Sequence, residues 1–288
     1  MILQTLIGAR DLAGLMRERD VLIVDCRSDL SDPARGARDY AQGHIPGAVY
    51  ADLNRDLADL SQRGLGRHPL PEAKAFSAVL SRWGWTPGTC IVAYDDASGA
   101  YAARLWWMLR LIGARDVAVL DGGLAAWKSA GLPLDAEIPV RPPTDVAVEF
   151  DRNKIVYTEE LQQMLQNPHF PHPHFLLLDA RAAPRFRGEV EPIDPVAGHV
   201  PGARNRPFSE NLAVDGCFKP AATLHAEFQA LLGSQAPGDV VNMCGSGVTA
   251  CHNLLAMEYA GLSGARVYAP SWSGWIADPA RPVAAVPK

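Results

Sequence analysis

One cysteine in this chain stands where a nucleophile could be made. In VVNMCGSGVTACHNLLAM (240–257), Cys244 directly follows an apolar run that reads as a strand, and it directly precedes a stretch whose Leu254, Leu255 and Met257 read as a helix face. Gly245 and Gly247 remove steric barriers to unusual backbone angles, so the intervening loop can curl with its amides turned inward around the sulfur. Thr249 is placed to cap the helix, whose N-terminus adds partial positive charge. A free thiol titrates near about 8.5, and holding it as the reactive thiolate at neutral pH takes roughly 2.7 kcal/mol of preference for the anion. A helix end supplies about 0.3–1 kcal/mol, whereas each hydrogen bond to a charged atom supplies about 1.5–3 kcal/mol. Two or more inward amides are therefore the expected activating device, and Gly245, Ser246, Gly247, Val248 and Thr249 are the residues expected to meet a substrate.

The elements that position this loop occur twice. VLIVDCRSD (21–29) is echoed by FLLLDARAA (175–183), GHIPGA (43–48) by GHVPGA (198–203), and TCIVAYDDASGAYAARLWWMLRLIG (89–113) by DVVNMCGSGVTACHNLLAMEYAGL (239–262). Both halves finish on a short strand and a tryptophan-bearing turn, VAVLDGGLAAW (117–127) and RVYAPSWSGW (266–275). Order is preserved throughout, so the halves are homologous domains. We read residues 1–135 as a first domain, 136–150 as a proline-rich linker and 151–288 as a second domain. Short strands alternating with helices predict an α/β fold in each, a mainly parallel sheet with helices on both faces. Ligands in such folds gather beyond the carboxyl ends of the strands, where Cys244 lies. Aligning the two loops sets Asp95 opposite Cys244, so one half alone has a thiol at this place.

Composition narrows the function classes. The 288 residues are 48% hydrophobic and 20% charged with a formal net charge of -5, which suits two globular cores. That balance, with a pI near 5.9, argues against nucleic-acid binding. The N-terminal MILQTLIGARDL lacks the features of a secretory signal and no apolar run is long enough to span a bilayer, so no membrane association is expected and the cytoplasm is the expected compartment. The five cysteines lack paired spacing, which points to neither a disulfide framework nor a zinc site. No P-loop or dinucleotide fingerprint follows a strand, and neither cofactor nor metal is expected. His169, His172 and His174 in NPHFPHPHF read as a solvated, proline-rich loop rather than a metal site. His44 and His199 belong to the repeated GH-x-PGA turn and are expected to be structural, and Cys251 is expected to face the core.

On these residues the chain resembles the rhodanese family, in particular its tandem-domain thiosulfate and 3-mercaptopyruvate sulfurtransferases. D-x-R, GHIPGA and DGG-x-x-x-W in the first half, and DARAAPRFRG, GHVPGA, CGSGVTAC and SWSGW in the second, carry the resemblance over nearly the whole chain. CGSGVT is similar to the active-site loop of the mercaptopyruvate branch, while thiosulfate-using relatives more often have basic residues there. The resemblance implies a cycle in which Cys244 takes sulfur from a small anionic donor, 3-mercaptopyruvate or thiosulfate, as a persulfide and passes it to cyanide, a thiol or thioredoxin. It implies that Arg185 grips the donor. Arg187, two residues on, is a further candidate for the same task. It also implies that His68, in GRHPLP of the first half, reaches the loop Ser246 to relay a proton to the departing enolate. Two departures stand out: the second arginine that often follows Arg185 is missing from EVEPIDPVAG (189–198), and Ala269-Pro270 replaces a usual Asp-Gly pair.

Two other readings compete. A dual-specificity phosphatase on this fold needs a longer loop and an arginine six positions after the cysteine, where Ala250 stands. A regulatory or protein-binding module is a common fate of rhodanese-like domains without cysteine. The first half fits that description by itself; the second, with Cys244, does not.

Overall fold

A computed structural model describes residue 3, residues 5–166 and residues 175–285, so the histidines of the 167–175 tract lie outside the described residues. The chain forms two compact units. The first comprises Met1–Asp59, Leu70–Asp151 and Val214–Phe218; the second comprises Leu60–Pro69, Arg152–Ala213 and Lys219–Lys288.

The first unit runs β1 (Leu6–Ile7), α1 (Ala9–Glu18), β2 (Val21–Asp25), α2 (Arg35–Gln42), β3 (Val49–Tyr50), α3 (Ala73–Arg82), β4 (Cys90–Tyr94), α4 (Ala102–Leu111), β5 (Val117–Leu120) and α5 (Gly123–Ser129). Its sheet is parallel, in the order β1-β5-β4-β2-β3. Every residue of β2, β4 and β5 is buried, as strands covered on both faces require. Val21, Ile23, Val92, Tyr94, Ala118 and Leu120 form one core with Leu12 of α1 and Leu124 and Trp127 of α5. Leu22, Val24, Ile91, Ala93, Val117 and Val119 point to the opposite face of the pleat, where α4 packs on β4 and β5.

The second unit repeats the plan with β6 (Ile155–Val156), α6 (Thr158–Gln166), β7 (Leu176–Asp179), α7 (Ala183–Arg187), β8 (Arg204–Asn205), α8 (Ala221–Leu232), β9 (Val240–Met243), α9 (Ala250–Tyr259), β10 (Arg266–Tyr268) and α10 (Ser271–Trp275). Its parallel sheet has the matching order, β6-β10-β9-β7-β8, with β9 in the middle. The expected α/β fold, a parallel sheet with helices in each half, is what forms.

The repeated D-x-R pairs explain why each sheet holds its loops in register. Arg27 Nε and Nη2 donate to the Asp25 carboxylate at 2.9 and 2.6 Å, and Nη2 also donates to Gly43 O at 2.8 Å. In the second half Arg181 Nη2 donates to Asp179 Oδ2 and to Gly198 O, both at 2.7 Å. Each buried charge pair thus ties a strand end to its GH-x-PGA turn, and the added hydrogen bonds offset the cost of desolvating the charges. The turn histidines act as framework. His44 stacks on Tyr40 with Nδ1 2.8 Å from Tyr40 O, and His199 stacks on Phe186 with Nδ1 2.7 Å from Phe186 O.

The loop after β4 shows what this scaffold binds. Asp95 is fully buried, and Oδ1 accepts from the amides of Ala97 and Gly99 at 2.9 and 2.8 Å while Oδ2 accepts from those of Tyr101 and Ala102 at 2.8 Å each. Burial pushes this carboxyl above its ordinary range, against four amides that pull it down. The loop is a cradle of main-chain donors filled by the chain's own side chain. Asp95→Ala would leave those amides unsatisfied, and at about 1–3 kcal/mol per buried orphan donor the unfolding free energy of this unit should fall by about 3 kcal/mol or more. Urea denaturation checks this; a loss under about 1 kcal/mol would mean the cradle does not depend on its carboxylate.

Candidate active site

All residues in this site belong to the second unit, because Leu60–Pro69 is part of it. The chain leaves the carboxyl end of β9, enters the loop at Cys244 and starts α9 at Ala250. Gly247 has φ +78°, and a Cβ there would lie 2.3 Å from Ala269 O, so both its backbone angle and its neighbour require glycine. Held in that turn, the Gly247 amide donates to Cys244 Sγ at 3.1 Å. Among the described hydrogen bonds it is one amide that reaches the sulfur, where two or more were expected. The thiol side chain is short, and its single atom does not reach as deep as the two-oxygen carboxylate of Asp95.

The outer side of the loop is tied to α10. Cys244 N donates to Ser271 Oγ at 3.1 Å, and Ser271 Oγ donates to Tyr268 O at 2.9 Å. Ser271 is buried at φ +52°, a left-handed angle that a non-glycine residue keeps only when its surroundings hold it. The Trp272 and Ser273 amides donate to Cys244 O and Gly245 O, both at 2.9 Å. The Ala269-Pro270 turn packs against Gly66, where a Cβ would come within 2.5 Å of Pro270 O. Gly66 in turn has φ +94° and leads into Arg67 and His68.

The structure brings His68 to the loop: its Nδ1 lies 2.8 Å from Ser246 Oγ, with both side chains buried. Arg185 on α7 also arrives there, its guanidinium 3.6 and 3.7 Å from the position a Gly245 Cβ would occupy. It is not free, since Nε and Nη2 pair with Glu191 and Nη2 lies 3.1 Å from Asp194 Oδ2. Burial raises the Glu191 carboxyl most, but the Arg185 guanidinium and the Ile193 and Asp194 amides together outweigh it, so it sits below its ordinary range. For Asp194 burial prevails over its arginine partners and the carboxyl is pushed up.

Two expectations need adjusting. Arg187 is not brought to the loop; it is exposed and pairs with Glu189 two residues away at 2.7 Å, which captures it at the surface. Thr249 occupies the cap position of α9 but makes no side-chain capping bond, because it already has helical backbone angles and its hydroxyl does not reach back to the first turn. Val248 is buried, within the loop's packing. Cys251 is fully buried with Sγ donating to Gly247 O at 3.3 Å, so it braces the loop from beneath. Arg67, Asp194, Glu191 and Ser271 were not singled out in the sequence, although Arg67 adjoins His68.

The Rhodanese-like domain family matches the chain twice, over residues 8–130 and 157–278. The chain belongs to the rhodanese family of sulfurtransferases. A relative from Pseudomonas aeruginosa named "Probable 3-mercaptopyruvate sulfurtransferase" is 51% identical over 282 residues, covering 97% of each chain. The 3-mercaptopyruvate sulfurtransferase of Escherichia coli K12 is 32% identical over 282 residues, covering 96% of each. Among solved structures, the 3-mercaptopyruvate sulfurtransferase from Leishmania major superposes with a TM-score of 0.82 at 31% identity, over 94% of this chain and 73% of that one.

Among the described residues no helix is long and apolar enough to cross a membrane, and no group of three or more His, Cys, Asp and Glu side chains is arranged to hold a metal ion.

The rhodanese loop turns on Gly247. Gly247→Ala should cost about 2 kcal/mol or more, from the unfavourable φ and the contact with Ala269 O, and should abolish most sulfurtransferase turnover by moving the amide off Sγ. Thermal melts with steady-state assays check this; near-wild-type turnover would show that the Gly247 amide is dispensable.

Proposed function

We propose that this sulfurtransferase moves sulfur from a small anionic donor, 3-mercaptopyruvate or thiosulfate, to a thiophilic acceptor such as cyanide, a small thiol or thioredoxin, through a persulfide on Cys244. With mercaptopyruvate, the Cys244 thiolate attacks the donor sulfur, the new S–S bond forms as the C–S bond breaks, and the electron pair leaves as the pyruvate enolate. Ser246 supplies a proton towards that enolate and His68 restores it. Acceptor attack on the outer sulfur then breaks the S–S bond and returns the thiolate, closing a ping-pong cycle. With thiosulfate the leaving group is sulfite, which needs no proton.

The observation that carries this reading is the Gly247 amide on Cys244 Sγ with the His68–Ser246 contact of 2.8 Å beside it. The first half supports it independently. The Cβ–Cγ–Oδ reach of Asp95 has the same number of atoms as Cβ–Sγ–Sδ in a persulfide, and Asp95 Oδ1 and Oδ2 each collect two amides. An outer sulfur at that depth is the species such a loop suits, more than the thiol itself. Arg185 beside Gly245 supports a donor with an anionic group.

In this reading residues 151–288 are the catalytic domain, completed in the fold by Leu60–Pro69 with His68, and the rest of residues 1–135, followed by the 136–150 linker, is a domain without a nucleophile. The cytoplasm is the proposed compartment, supported by five cysteines that form no disulfide with one another.

Intact mass spectrometry after donor alone should show a gain of one sulfur atom in the native protein and none in Cys244→Ser. Mass gain in the variant would refute the role of Cys244. Ser246→Ala should lower mercaptopyruvate turnover by about a hundredfold while thiosulfate turnover changes little. Equal losses for both donors would argue against the proton relay.

A further inference from the structure

Arg185 is not alone above the loop. From the position where a Gly245 side chain would begin, Arg67 Nη2 lies at 3.1 Å and the two terminal nitrogens of Arg185 at 3.6 and 3.7 Å, so two guanidiniums converge on space that glycine leaves open. Asp194 bridges them: Arg67 Nη1 pairs with Oδ1, and Arg185 Nη2 lies 3.1 Å from Oδ2. The backbone fixes Arg67 as well, since its amide donates to Ser273 Oγ at 2.9 Å on the same α10 that holds Cys244. Arg67 Nε is buried with no hydrogen-bond partner, a donor left over by its contacts with the protein. A buried unsatisfied guanidinium N–H is costly and is relieved by an anion that accepts from it.

We infer that Arg67 is a second donor-binding arginine, standing in for the one missing after Arg185, and that Asp194 between the two sets the site for a donor with a single negative charge. This rests on the persulfide reading of Cys244. A carboxylate placed over Gly245 can accept from Arg67 and from the face of Arg185 that Glu191 does not occupy. The charges around it cancel: Arg67, Arg181 and Arg185 face Asp179, Glu191 and Asp194 in a connected set of ion pairs. A monoanion enters that neutral set at little cost, whereas a dianion such as thiosulfate meets the Asp194 carboxylate with its second charge. Donor choice then follows from one carboxylate rather than from the uncharged loop alone.

The test is steady-state kinetics of the full chain with 3-mercaptopyruvate and with thiosulfate, alongside the persulfide mass measurement. Arg67→Met should raise KM for mercaptopyruvate about tenfold or more with kcat within about threefold, and Arg67→Lys should recover part of it. Asp194→Asn should shift the ratio of kcat/KM values towards thiosulfate by about fivefold or more. An unchanged KM in Arg67→Met, or an unchanged donor ratio in a folded Asp194→Asn, overturns the inference while leaving the persulfide reading intact. Should Asp194→Asn not fold, the Arg67 variants decide. A wild-type protein that gains no sulfur from either donor removes both.

Discussion

Main-chain amides aimed at one polar side chain, at the carboxyl end of a middle parallel strand, are the constraint on which both halves of this molecule are built. The first half satisfies it with Asp95, whose two oxygens take four amides. The second half places a sulfur there, met by the amide of Gly247. A strand, a tight loop and a helix are needed to aim those donors, and a sheet covered on both faces is needed to keep the loop from relaxing. The D-x-R pairs lock each strand end to its turn in both halves alike. Their presence in the half whose loop has Asp95 in place of a cysteine identifies them as parts of the scaffold.

What distinguishes the second half is the company its loop keeps. Three other cysteines are held as thiols: burial, with nearby carboxylates, raises Cys26 well above its ordinary value, Cys90 to about 12 and Cys217 to about 11. Cys244 has instead an amide donor on its sulfur and two arginines over the adjacent glycine. Carboxylates oppose ionisation at Cys26, Cys90 and Cys217, whereas guanidiniums stand beside the Cys244 loop.

Much of this was legible in the sequence, for identifiable reasons. Apolar runs such as VLIVD and VVNM, set between helices with three and four spacing, specify buried parallel strands, and the repeat doubles the signal. Cys244 was legible because its loop could be compared with that of Asp95. His68 and Ser246 came through family resemblance, since no local pattern links residues 178 positions apart. Arg67 was illegible for the same reason: its partner Asp194 is 127 positions away, and only folding makes Leu60–Pro69 part of the second unit. Arg187 misled because sequence gives proximity to Arg185 but not direction, and Glu189 turns it to solvent. Thr249 has the right residue type at the right position, but a cap depends on backbone angles that composition does not set.

The account stands on the sulfur at Cys244 being the chain's reactive anion. Competitive alkylation with a limiting amount of iodoacetamide, mapped by peptide mass, tests this most directly. Cys244 should be labelled ahead of Cys26, Cys90, Cys217 and Cys251, and after exposure to donor its adduct should carry one additional sulfur atom. Labelling that begins at another cysteine, or a Cys244 that stays unlabelled while the others react, would contradict it.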